Sequence, residues 1–264
     1  DLLGWRYRAN ARERHRTPEF DVAIETNARG FRGPEWPPPD AAKSTVLVLG
    51  DSFAFGWGVA WEDGLVAQLA AQRATWRVLG AGVSGYGTDQ EFLLLRRLWN
   101  GERPSAVVCV FCRNDLWESS ARTAYGRAKP FVRVSGATVT VDGVPVPCSW
   151  LESTSALWCA VKKFFWQRRF AARVADDEAE WAQVESLYRA MRDAIAPVPL
   201  VLVSYEERLR ALAAREPGIE HVDAGPLVRD LPGSGCFPVD GHWTAAGHAA
   251  VAKGLAVELD RLLR

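Results

Sequence analysis

Thr45-Val-Leu-Val-Leu-Gly50-Asp-Ser-Phe-Ala-Phe-Gly56 is an apolar run rich in β-branched residues that stops abruptly at a glycine. Such a run reads as a buried strand, and the Asp51-Ser52 that follows it places a hydroxyl on the turn into an amphipathic, helix-length segment. In an α/β protein that is where a nucleophile stands. The alternative is an ordinary helix cap, since Asp and Ser both favour that position. The neighbouring segments have to decide between the two.

Downstream, the spacing predicts a helix over 62–72. A second strand, Trp76 to Leu79, then opens into Gly80-Ala-Gly-Val-Ser-Gly-Tyr-Gly87, where glycines let backbone N–H groups approach a ligand with no side chain in the way. Another helix follows, capped by Thr88 or Asp89. A third strand, Ala106 to Phe111, ends in Cys112-Arg-Asn-Asp115, where Asn114 is either a turn former or a polarising donor. Residues 130–147 alternate apolar and polar side chains around Gly136 and Gly143 and read as an inserted hairpin.

A basic, aromatic helix is expected from Ser153 or Ser155 to about Arg173, and a second, at Trp181 to Ile195, ends at Pro197. Leu200 to Ser204 is the fourth strand, and a helix from Glu206 to Arg215 leads to a short fifth strand at His221 to Asp223. Asp240-Gly-His-Trp-Thr-Ala-Ala-Gly-His248 then leads into the last helix.

This alternation specifies a parallel sheet covered on both faces, and such sheets present ligand sites at the carboxyl ends of their strands. Ser52 follows the first strand, Gly85 the second, Asn114 the third, and Asp240 with His242 the fifth. Each has a bland reading alone, but nucleophile, base, acid and amide donors on one sheet edge specify acyl transfer.

Composition bounds the rest. The chain has 264 residues, 48% of them hydrophobic, enough for one sizeable core. The 32 Lys and Arg balance the 32 Asp and Glu, which argues against nucleic acid as a partner. Five cysteines show neither zinc spacing nor a disulfide framework. Cys109 and Cys112 read as buried thiols before a redox pair, and Cys148 with Cys236 is a candidate disulfide. No apolar run reaches the roughly 18 residues that span a bilayer. The start at Asp1, with neither a Met nor a signal core, is expected to be a processed or engineered end. Residues 1–43, rich in Arg and aromatics, read as an extension packed on the domain, with a basic membrane-facing arm as the alternative. The basic aromatic helix is a second candidate for membrane contact.

With these motifs in hand, the chain resembles the SGNH, or GDSL, hydrolase superfamily over residues 44–264. Gly50-Asp51-Ser52 matches the first motif, Gly85 the second, Asn114-Asp115 the third, and Asp240 with His242 the last. The resemblance implies a three-layer α/β/α sandwich around a five-stranded parallel sheet. It also implies a serine esterase acting on a small O-acyl ester, such as an acetylated carbohydrate or metabolite, with no metal or organic cofactor. By the same resemblance, Ser52 is the nucleophile, His242 the base and Asp240 its partner. The Ser52 and Gly85 backbone N–H groups and the Asn114 amide form the oxyanion hole.

Two departures stand out: Cys112 replaces the glycine of the third motif, and Asp240 sits two rather than three residues before His242. The resulting D-x-H followed by Trp243 is similar to alginate O-acetyltransferase-like relatives, which keeps an O-acyltransferase reading open. A non-catalytic carbohydrate- or envelope-binding module would require a defective triad. Trp57, Tyr86 and Trp243 border the expected cleft and are candidates for lining it. Relatives with such extensions imply an extracytoplasmic or membrane-anchored location for the full-length protein. No motif specifies the oligomeric state.

Overall fold

The computed structural model describes residues 2–136, 138–147, 155–171 and 177–264. Five strands form one parallel sheet: β1 (Ser44–Gly50), β2 (Trp76–Gly80), β3 (Ala106–Val110), β4 (Leu200–Ser204) and β5 (Ile219–Asp223). Their spatial order is β5-β4-β3-β1-β2, with parallel pairing throughout.

Period-two alternation divides the strand residues between two cores. Val46, Val48, Val108, Val110, Val201 and Val203 face helices Leu65–Gln72 and Ala245–Leu262. Leu47, Leu49, Val107, Cys109, Leu200 and Leu202 face helices Thr88–Glu102, Asp177–Ile195 and Glu207–Arg215. Because both faces are covered, the inner strands β1, β3 and β4 are mostly apolar, while the edge strands β2 and β5 carry Arg77, Glu220, His221 and Asp223. The result is a three-layer α/β/α fold.

The strand order also locates a crevice. The chain leaves β1 for β2 on one side, then crosses back to β3 on the other, so loops diverge between the carboxyl ends of β1 and β3. Asp51 and Ser52 leave β1 at this switch point, and Cys112 to Asp115 leave β3 there.

The N-terminal residues form an antiparallel hairpin, Arg12–Arg16 with Asp21–Glu25. Its connection to the sheet is anchored by charge. The buried Arg32 guanidinium donates to the carbonyls of Phe55, Gly56 and Val59. Glu102 receives Arg29 at 2.6 Å and Arg77 at 2.8 Å, and Arg77 also donates to the Pro37 carbonyl. A second hairpin, Phe131–Ser135 with Thr138–Asp142, occupies the expected insertion.

Local differences from the sequence reading have local causes. The helix expected over 62–72 is a 3₁₀ turn, Trp61–Asp63, followed by helix Leu65–Gln72, because Gly64 between them is extended at φ −76°, ψ 156°. The basic aromatic helix covers Ala156–Ala171, and its expected end near Arg173 lies outside the described residues. So does the Cys148–Cys236 pairing, since Cys148 is not described. Cys109 is buried beside the Met191 sulfur at 3.9 Å, and burial pushes its thiol pKa well up, the mark of an inert core cysteine. Among the described residues no helix is long and apolar enough to cross a membrane.

Candidate active site

The end of β1 is built for a sharp turn. Gly50 has φ +145°, and a Cβ there would lie 2.6 Å from the Ala54 Cβ and 2.9 Å from the Val110 carbonyl oxygen. Only glycine fits. The chain then enters a single helical turn, Ser52–Phe55, capped by Asp51, whose Oδ1 accepts from the Phe53 N–H at 2.9 Å. Asp51 thereby fixes the turn that presents Ser52.

His242 Nε2 lies 2.7 Å from Ser52 Oγ, and His242 Nδ1 lies 2.5 Å from Asp240 Oδ1. Ser, His and Asp therefore form one continuous hydrogen-bonded line across 190 residues of sequence. Its geometry depends on the loop before the last helix. Phe237 N–H donates to the His242 carbonyl and Gly241 N–H to the Phe237 carbonyl, while Gly241 adopts φ +84°. Thr244 caps helix Ala245–Leu262 by accepting from Gly247 N–H, so Asp240 and His242 stay outside the helix.

Glu19, at the tip of the N-terminal hairpin, completes this loop. Its two carboxylate oxygens accept from the backbone N–H groups of Val239, at 3.0 Å, and Asp240, at 2.7 Å. The extension thus holds the backbone of the residue that orients the histidine. Nothing in the sequence pointed to this contact, since Glu19 lies in a charged turn 221 residues from Asp240.

Of the other expected site residues, Gly85 lines the cavity and Asn114 does not, standing instead against Asp51. Gly85 adopts φ +78°, and a Cβ there would meet the Tyr125 ring at 2.7 Å. Gly85 and Ser52 line the same cavity. Asn114 precedes helix Asp115–Ser120, and its Nδ2 donates to Asp51 Oδ2 at 3.2 Å and to Glu118 Oε2 at 3.0 Å. Cys112 replaces glycine here without opening the turn, because the Asp115 N–H still donates to its carbonyl at 2.9 Å. The Asp115 carboxylate accepts in return from the Cys112 N–H at 3.1 Å.

Beneath Asn114 lies a set of buried acids. Burial pushes the Glu118 carboxyl up to about 8, against the hydrogen bonds it receives from the Tyr125 hydroxyl and from Asn114. Burial likewise raises Asp51, and raises Glu91 and Asp115 well above the usual carboxylate range, each reinforced by its acidic neighbours except Asp51, whose hydrogen bonds oppose the shift. Glu118 was legible in principle, since it stands four residues after Asn114 on one helical turn.

Two of the three residues expected to line the cleft do not reach it. Trp57 does, with its ring 4.1 Å from His15 and 6.0 Å from His242. Tyr86 is fully buried and turns its hydroxyl to the Trp5 carbonyl, and Trp243 is buried with its Nε1–H on the Tyr205 hydroxyl. Each directly follows a residue that lines the cavity, Gly85 or His242, but turns inward: Tyr86 packs edge-on against Trp5, and Trp243 packs against Phe53 and His248. His248 is wholly buried against Trp243, and burial lowers its pKa to about 3, which keeps it neutral. Among the described residues no cluster of His, Cys, Asp and Glu is arranged to hold a metal ion.

Comparison with known proteins bears on the fold and the family. The fold is shared with TesA, at 18% identity and a TM-score of 0.51 over 83% of this chain and 99% of that one. The family 3 carbohydrate esterase of Clostridium thermocellum aligns at 12% identity and 0.51, over 84% of this chain and 98% of the other. The psychrotrophic esterase EstA from Pseudoalteromonas sp., inhibited by monoethylphosphonate, aligns at 11% identity and 0.50, over 84% and 99%. No curated protein matches. The model of the GDSL-like lipase/acylhydrolase family matches residues 48–250, a span running from β1 through His242 into the last helix. The chain belongs to the GDSL-like lipase/acylhydrolase family and is a hydrolase of the SGNH type.

Proposed function

We propose that the protein is a serine esterase that cleaves a small O-acyl ester through an acyl-serine. The observation that carries this reading is the 2.7 Å contact between Ser52 Oγ and His242 Nε2, with Asp240 on the far nitrogen at 2.5 Å. With the imidazole proton on Nδ1, donated to Asp240, Nε2 is free to accept the Ser52 proton. Ser52 Oγ then attacks the ester carbonyl carbon, the carbonyl π-pair moves onto oxygen, and His242 holds the proton. When the tetrahedral centre collapses, the bond to the alcohol oxygen breaks and His242 returns that proton to the leaving alcohol. Water repeats the sequence on the acyl-serine, releasing the acid and restoring the Ser52 hydroxyl.

The oxyanion is received by the Ser52 and Gly85 N–H groups and by Asn114. Both Asn114 amide hydrogens already have acceptors, so one must change partner. In this reading the longer bond, to Asp51 at 3.2 Å, yields to the oxyanion, while the bond to Glu118 keeps the amide aimed.

A second reading uses the same acyl-serine for transfer to an alcohol. The Asp240-Gly-His242-Trp243 motif, similar to alginate O-acetyltransferase-like relatives, favours it. So does a cavity of about 960 Å³ beside Ser52, which has room for an acceptor alongside the acyl group. The two readings separate on whether an added alcohol gains the acyl group faster than water does. Both are tested first by an alkyl phosphonate: it should add one equivalent of mass to the wild type and none to Ser52→Ala. Labelling that survives Ser52→Ala would remove Ser52 from the mechanism.

A further inference from the structure

The cavity that contains Ser52 and His242 is walled by Arg6, Arg8, Arg14, Arg127 and Lys163, against the carboxylates of Glu13 and Asp240. The whole chain is neutral, with 32 charges of each sign, so this excess of cations is a local concentration. Not all of it is available to a ligand. Asp240 is held by His242, Arg14 is bound to Asp21, and Arg6 has an interaction of its own. Among the described residues Arg8, Arg127 and Lys163 have no carboxylate partner, and Glu13 is the one opposing charge on these walls left without a cation.

The origin of the three cations distinguishes a built site from a solvated charged face. Arg8 comes from the segment before the N-terminal hairpin, Arg127 from the short strand Arg127–Ala128, and Lys163 from helix Ala156–Ala171. A charge run on one exposed element would give a periodic stripe, whereas here three elements distant in sequence meet around one opening. Low-dielectric walls, here Trp57 and Tyr125, focus the field of such charges into the cleft.

We infer that the ester substrate carries an anionic group, a carboxylate or a phosphate, received by Arg8, Arg127 and Lys163. The inference rests on the serine esterase reading and names its substrate class. The reacting carbonyl sits at Ser52 while the anion lies against the cationic walls, so charge selects and orients the ester before any bond is broken.

The test is acetate release from three matched monoacetyl esters: a methyl glucoside, the corresponding methyl glucuronoside, and the methyl glucoside 6-phosphate. At low salt kcat/KM should be about 10- to 100-fold higher for an anionic ester than for the neutral one, the range expected of one or two charge-assisted hydrogen bonds. The advantage should shrink as salt rises. Preference for only the glucuronoside or only the phosphate supports the inference and identifies the anion. In a variant combining Arg8→Gln, Arg127→Gln and Lys163→Gln, all at exposed positions, the anionic-to-neutral ratio should fall towards one. Equal kcat/KM for the three esters in a protein whose Ser52 takes the phosphonate would overturn the inference alone, as would a preference that the triple variant retains. Failure of Ser52 to take the phosphonate would overturn the esterase reading and this inference with it.

Discussion

Asp240 is two residues from the histidine it serves, and its geometry makes a sharp expectation. The Nδ1–H of His242 donates to a carboxylate oxygen at 2.5 Å, which fixes the tautomer that leaves Nε2 basic. A carboxamide in its place can donate to Nδ1 and so favour the opposite tautomer. Asp240→Asn should therefore lower kcat by up to about 10⁴-fold with an unchanged melting temperature, measured by steady-state turnover beside a thermal scan. Near-wild-type turnover in the folded variant would make Asp240 a turn residue only. Ser52, His242 and Asp240 could all be picked out of the sequence because their spacing relative to strand ends and helix caps is local information. The long-range partner of Asn114 could not: that its amide also rests on Asp51 follows from the packing of β1 against β3, which places residues 63 positions apart within 3.2 Å.

Among the elements, the N-terminal hairpin escaped pattern reading because its strands pair by charge. Arg12 meets Glu25 and Arg14 meets Asp21 across the ladder, and no apolar face alternates along Arg12–Arg16. The three inner sheet strands, by contrast, announce themselves as mostly apolar runs of five to seven residues. The hairpin is tied to the chemistry through Glu19, so its removal should be felt as misalignment. Glu19→Ala should lower kcat by about 10-fold, since small displacements of catalytic groups are costly, with little change in melting temperature. Glu19→Gln keeps one carbonyl oxygen as acceptor and should recover part of the loss. If both variants turn over like the wild type, the clamp is ornamental to catalysis.

For the molecule as a whole, the α/β alternation was legible end to end, while the buried charges that set its response to pH were not. Glu118 titrates at about 8 in the folded protein, against 4.5 for an ordinary glutamate. Between those values the native state holds a proton that the unfolded chain has released, so stability falls as pH rises through that window. His248 runs the other way: with a folded pKa of about 3 against 6.5, it stays neutral where the unfolded chain gains a proton, so stability falls as pH drops from 6.5. The two trends offset one another between 4.5 and 6.5, and above 6.5 Glu118 acts in the same direction as Glu91 and Asp115, whose carboxyls burial also raises. Melting temperature should therefore decline from pH 6.5 to 8, and Glu118→Gln should lessen that decline. An equal decline in the variant would assign it to other groups.

The wall that the N-terminal segment lends to the cavity has a further consequence. Residues 48–250 hold Ser52, Gly85, Asn114, Asp240 and His242, yet Arg8, His15 and Glu19 lie upstream of that span. The two lengths of chain are therefore interlocked: Glu19 upstream braces the backbone at Asp240, while Arg127 and Lys163 within the matched span join Arg8 on the cavity wall. An exchange of the N-terminal segment between homologous enzymes should thus shift turnover and selectivity together, unless a carboxylate is kept at the position of Glu19.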